Sequence, residues 1–224
     1  MELSVLDPFG DYQTEGYLRN FFKEKDLTIV GHLETGAFED HIHETLRFLR
    51  RLPQINYEHI TQTHKQLFES VYPWAGQDRS VNAPHIAIVK GGYNNLFAHP
   101  ADVHRAAEHA LTLARDVPYL REHPGEVFGQ FAHAHPFLEG NGRTILTIYA
   151  EICRRGGFHV EWETIPKDEF LDALTDELLS PRSIMDKFLL PYVKTGALSL
   201  KKTTVQLKLN FNREETNDDN SIHM

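Results

Sequence analysis

The 224-residue chain has a single cysteine, Cys153, so no intramolecular disulfide framework is open to it. A reducing compartment is the simplest setting for such a chain. No apolar run approaches the ~20 residues of a membrane span. The first residues, Met-Glu-Leu-Ser-Val-Leu-Asp-Pro, lack the basic and apolar regions of a signal peptide. We therefore expect a cytoplasmic protein that does not enter membranes. Positive charge is also short. The balance of 23 basic against 32 acidic side chains gives −9, which argues against a nucleic-acid partner. It leaves a local phosphate site open. There is no Gly-x-x-x-x-Gly-Lys-(Ser/Thr) and no His-Glu-x-x-His, which excludes a P-loop and the common zinc-protease helix. His104 and Glu108-His109 are one residue too far apart for the inverted zinc motif. The fourteen histidines scatter, no repeat is visible, and no structural zinc is expected.

What is present is enough for an ordinary core, with 41% hydrophobic and 25% charged residues. Apolar residues recur at helical spacing over 17–25, 40–51, 56–71, 101–115, 125–134, 142–155, 167–179 and 183–194. Pro53 stops the second of these, and Gly156-Gly157 cap the helix at 142–155. Residues 84–98 change character. Ile86, Ile88 and Val89 favour strands, and Gly91-Gly92 and Asn94-Asn95 supply turn residues, so a β-hairpin is expected. Thr204–Phe211 alternates Val205, Leu207, Leu209 and Phe211 with polar residues, which reads as a strand able to pair with an edge of this chain or of a partner. Asn212–Met224 is polar and reads as a disordered tail. The expected fold class is all-α, a compact helical bundle with one small β-hairpin.

Residues 135–143 read His-Pro-Phe-Leu-Glu-Gly-Asn-Gly-Arg. A base, a carboxylate, two glycines, an amide and a guanidinium share one turn that opens into a helix. A helix N-terminus offers unpaired N–H groups to an anion, and glycines let the backbone approach a phosphate. Arg143 can clamp phosphate oxygens. Glu139 is a hard oxygen ligand of the kind that holds Mg²⁺ together with substrate phosphates. His135 can accept a proton near neutral pH. The pattern points to phosphoryl or nucleotidyl transfer.

The stretch resembles the Fic family, whose motif is His-x-Phe-x-(Asp/Glu)-Gly-Asn-Gly-Arg-x-x-Arg. Every fixed position from His135 to Arg143 matches, and the last Arg is replaced by Leu146. Pro73-Trp74-Ala75-Gly76, Arg79 and Lys90-Gly91 are similar to the family's segment around its flap, so the resemblance runs over roughly residues 5–195. It implies a Fic domain over 1–200, with 201–224 as a C-terminal extension. It implies a protein adenylyltransferase moving AMP from ATP, with Mg²⁺, to a Ser, Thr or Tyr hydroxyl. His135 would be the general base and Glu139 the metal ligand. Gly140, Asn141, Gly142, Arg143, Lys90 and Gly91 would bind nucleotide. The protein substrate would dock on the hairpin flap by main-chain pairing. Leu146 would loosen the hold on the γ-phosphate. The family's inhibitory helix carries (Ser/Thr)-x-x-x-Glu-(Gly/Asn). Glu-Gly occurs only at 15–16 and 139–140, after Asp11 and His135, and neither fits. An inhibitor would then be a separate antitoxin protein, although Leu146 removes the Arg that such an inhibitor's Glu would meet. The rival readings are a Fic-type transferase with another phosphate-containing donor and a nucleotide-binding interaction module with little turnover. An intact His135 argues against the second.

Overall fold

The computed structural model describes residues 18–88, 93, 96–181 and 183–212. Its elements are α1 (Leu27–Arg51), α2 (Tyr57–Phe68), the single turn α3 (Arg79–Asn82), α4 (Val103–Arg115), α5 (Val117–Glu122), α6 (Pro124–Ala134), α7 (Asn141–Arg155), β1 (Phe158–Val160), α8 (Lys167–Leu179), α9 (Ile184–Leu189), β2 (Val193–Thr195) and α10 (Leu200–Asn212). The molecule is helical, as expected. β1 and β2 pair antiparallel, Phe158 opposite Thr195. The middle of the expected flap, with Lys90 and Gly91, lies outside the described residues, as do 1–17 and the tail 213–224.

α1 illustrates how the core forms. Asp26 caps it by accepting from the N–H groups of Thr28 and Ile29. Val30, Ala37, Phe38, Ile42, Leu46 and Leu49 then fall on one buried stripe. Its start at Leu27 corrects two expectations. The helix is longer than 40–51, because Gly31 and Gly36 interrupt the apolar pattern without breaking the helix. Residues 18–25 are not helical. There the Asn20 side chain donates to the Glu24 carbonyl at 2.8 Å and accepts the Glu24 N–H at 3.0 Å, taking the backbone bonds that a helix would need.

The strand expected at 204–211 is also corrected: these residues belong to α10. Leu200, Thr203, Thr204 and Leu207 follow the i, i+3, i+4, i+7 rule, and Leu207 is fully buried. Val205 and Leu209, which made the alternation, are about half exposed. The helix expected over 183–194 ends at Leu189, where a 3₁₀ turn through Pro191 leads into β2.

α7 crosses the middle of the molecule, packed by α1, α2, α6 and α10. α6 lies between α4 and α9. It approaches α9 so closely that a Cβ on Gly125 would come within 2.2 Å of the Met185 backbone. Asp186 of α9 accepts the N–H groups of Gly125 and Glu126 at 2.7 and 2.9 Å, capping the start of α6. Both ends of the loop that joins α6 to α7 are thus fixed by packed helices.

Candidate active site

The 135–140 loop turns the chain from α6 into α7. His135 closes α6 in the left-handed region, φ 39° and ψ 61°. Gly140 precedes α7 at φ 76°, and a Cβ there would meet the Phe68 ring at 2.6 Å, so only glycine fits. The loop is closed from within by Asn141. Its Oδ1 accepts the Phe137 N–H at 2.9 Å and its Nδ2 donates to the Phe137 carbonyl at 2.7 Å. The Asn141 side chain is buried in this bracing role. Phe137 is fully buried and anchors the loop in the core.

The predicted residues that are described come together here. Gly142 lies in the first turn of α7, where N–H groups lack intrahelical partners, and open space adjoins its Cα. Glu139 is about one-third exposed, and its Oε1 accepts the Gly140 N–H at 2.8 Å. Arg143 Nη2 lies 3.9 Å from that Glu139 oxygen, and the guanidinium stands over the Phe68 ring, 5.1 Å from its centroid. The His135 imidazole stacks on Phe97 at 3.8 Å. On that side a groove of about 590 Å³ opens between the start of α4 and α6, lined by Ile88, Phe97, His99, Arg105, Gln130 and His133 among others.

Three residues that the sequence left unmarked, Glu34, His64 and Tyr72, complete the site together with Arg79. Glu34, buried in α1, binds Arg143 Nη2 through one carboxylate oxygen and the Tyr72 hydroxyl through the other. Its signal in the sequence was a lone acid within the apolar stripe of α1. Burial first, and then the Glu34 charge, push the Tyr72 hydroxyl well above its ordinary range, so it stays a donor. His64 of α2 accepts the Gly76 N–H on Nδ1 at 2.8 Å and so donates from Nε2 to the Glu139 carbonyl at 3.0 Å. It stacks on Phe137 at 3.8 Å. Arg79, noted earlier only for its place near the flap, is buried and donates from Nε to the His135 carbonyl at 2.8 Å.

Another cluster, His123, Glu126 and Asp186, stands at the far end of α6. Its Asp186 is occupied as the α6 cap and by His123 Nδ1 at 3.1 Å. Leu146 does not stand out into the phosphate side of α7. It is 6% exposed and part of the core.

Fold and site thus define a helical domain in which one loop gathers a histidine, a carboxylate and a guanidinium at a helix N-terminus. The family model described as the Fic/DOC family matches residues 54–153. Protein adenylyltransferase VbhT of Bartonella schoenbuchensis is 29% identical over 187 residues, which are 80% of this chain and 37% of that protein. The probable protein adenylyltransferase y4lH of Sinorhizobium fredii is 31% identical over 181 residues, 76% of this chain and 88% of that protein. Among solved structures, BepC from Bartonella tribocorum with bound AMPPNP superposes with a TM-score of 0.66 at 20% identity, over 82% of this chain and 95% of that one. The N-terminal Fic domain of a Bartonella quintana effector with bound ADP gives 0.66 at 19%, over 87% and 96%. The chain belongs to the Fic/DOC family. It spans a little over a third of the length of VbhT and most of y4lH. Among the described residues no helix is long and apolar enough to cross a membrane.

Proposed function

We propose that this protein is a protein adenylyltransferase, moving AMP from ATP to a hydroxyl of a Ser, Thr or Tyr on a target protein. The observation that carries this reading is the loop itself, with His135 at one end and the α7 N-terminus, Glu139 and Arg143 at the other. The kinship with two relatives named protein adenylyltransferases supports it. The target's hydroxyl oxygen attacks the α-phosphorus of ATP as His135 takes its proton. The new O–P bond forms, the bond between the α-phosphorus and its bridging oxygen breaks, and pyrophosphate leaves. The first-turn N–H groups of α7, Gly142 among them, hold phosphate oxygens, and Arg143 pairs with a phosphate beyond the α-position. The bare Cα of Gly142 leaves room for that approach. Asn141 serves by holding the loop in shape.

Mg²⁺ fits the same loop. Glu139 is a partly exposed carboxylate beside the phosphate-binding turn, and a bound Mg²⁺ would supply charge neutralisation of the phosphates. Positioning plus electrostatic stabilisation is most of what phosphoryl-type transfer asks of a protein. Lys90 and Gly91 are proposed as further nucleotide contacts, the flap as the docking edge for the target, and a separate antitoxin protein as the form any inhibitor would take. The cytoplasm is proposed as the compartment.

The test offers ATP labelled on the α- or the γ-phosphate, with Mg²⁺, to wild type and His135→Ala in a cell lysate. The expected result is protein labelling from the α-label alone, lost in the variant, which still binds nucleotide by calorimetry. Labelling from the γ-phosphate, or equal labelling by the variant, would overturn the assignment.

A further inference from the structure

We infer that Arg79 is a positioning residue for His135, its buried guanidinium holding both the histidine backbone and the chain segment that carries the ring's stacking partner. The inference rests on the reading of His135 as the proton acceptor. His135 occupies the left-handed region, which is uncommon for a residue with a Cβ. Two of the contacts that hold the chain there come from Arg79. Arg79 Nε donates to the His135 carbonyl at 2.8 Å, and the Arg79 backbone N–H donates to the next carbonyl, that of Pro136, also at 2.8 Å. Arg79 Nη2 donates to the Ala98 carbonyl at 2.8 Å. Ala98 follows Phe97, whose ring lies 3.8 Å from the His135 imidazole at an interplanar angle of 26°. The Ala98 N–H in turn donates to the His133 carbonyl at 2.8 Å, closing the frame around the end of α6.

The choice of arginine follows from this geometry. Two carbonyls on different segments must be reached by donors of fixed relative direction, and a planar guanidinium supplies them. A lysine ammonium is a hydrated point charge on a flexible stem and does not reproduce the fork. The site is costly for any cation. Arg79 is 1% exposed, and burial draws its pKa down to about 10, against the raising effect of the neighbouring Asp78. A buried cation that spends Nε and Nη2 on backbone carbonyls at the reactive loop is expected to set geometry there.

The experiment compares Arg79→Lys with wild type by three readouts. The first is the ring-proton NMR shift of His135, assigned by its absence in His135→Ala, which reports the Phe97 stack without reference to activity. The second is kcat against KM for ATP, and the third is nucleotide affinity by calorimetry. The folded variant should lose the ring-current shift and fall in kcat by on the order of ten- to a hundredfold, the scale of a displaced catalytic group. KM and affinity should change by less than about threefold. An unchanged His135 shift, or a loss confined to KM, would overturn the proposal. A lost stack with full kcat would instead overturn the reading of His135 as the base, so the two failures are distinguishable. If the lysine variant does not fold, Arg79→Gln, which buries no charge, takes its place in the same measurements. Loss of fold in both would reduce Arg79 to a purely structural residue and overturn the positioning role.

Discussion

His64 lies outside the motif in sequence yet touches it in space, and its chemistry has a measurable consequence. The ring is fully buried, with its proton fixed on Nε2 toward the Glu139 carbonyl. Burial above all, aided by the Arg143 charge and opposed by the Glu139 carbonyl, pushes its pKa from 6.5 down to about 3. The folded protein therefore keeps His64 neutral where the unfolded chain protonates it. Below pH 6.5 the unfolded state binds one more proton, so stability falls as the pH drops toward 3. One such group contributes a slope of ~1.4 kcal/mol per pH unit. Urea unfolding of wild type and His64→Gln across this window should show a shallower acid loss in the variant. Equal slopes would mean that His64 titrates alike in both states. The same residue marks what the sequence reveals and hides. His135, Glu139 and Arg143 were legible because they lie in one nine-residue stretch. Glu34, His64, Tyr72 and Arg79 come from α1, α2 and the turns after it, and only packing brings them to the loop.

At the scale of elements, helices α2, α4, α6 and α7 were legible from apolar spacing, because each buries one stripe against a neighbour, and α8 packs Phe170, Ala173 and Leu174, partly buried, against the core. α10 was not, since a run with Val205, Leu207 and Leu209 satisfies a period of two as well as a period of 3.6, and only tertiary burial of Leu207 decides. α7 carries a second lesson. Residues 143 and 146 share a helical face, which suggested that an arginine at 146 would reach phosphate. The Arg143 side chain is 12% exposed and bound to Glu34 at the loop. Leu146 is packed in the core. Leu146→Arg should therefore destabilise the fold by on the order of 3–5 kcal/mol, the scale of an uncompensated buried charge. Leu146→Met, close to it in volume, should cost less than about 1.5 kcal/mol. Denaturant midpoints of the two variants check this. An arginine variant as stable as wild type would show that the position can open toward the phosphate side.

The molecule as a whole is tied together through α1. Its first half carries Glu34 to Arg143 at the loop, and its second half receives α10. There the Thr204 hydroxyl lies 3.2 Å from His43 Nδ1, and Arg50 donates to the Leu198 carbonyl at 3.1 Å and the Thr203 hydroxyl at 3.2 Å. On its other side, Gln206 of α10 donates to the Val160 carbonyl at 2.9 Å and to Glu163 at 2.7 Å. The segment from 201 that read as an extension of the domain is, through residue 210, packed against it. The chain's two tryptophans make this testable. Trp74 stacks near His64 beside the 135–140 loop, whereas Trp162 belongs to the turn on which α10 rests. Trp162→Phe leaves Trp74 as the sole indole reporter. Leu207→Ala, made in that background, removes a fully buried side chain and should cost ~2–5 kcal/mol. If α10 folds with the rest, the Trp74 fluorescence midpoint in urea should fall with the far-ultraviolet circular dichroism midpoint, in one transition. If α10 were a separate extension, Leu207→Ala would melt helix signal early and leave the Trp74 transition where it was. That outcome would detach α10 from the body that holds the 135–140 loop.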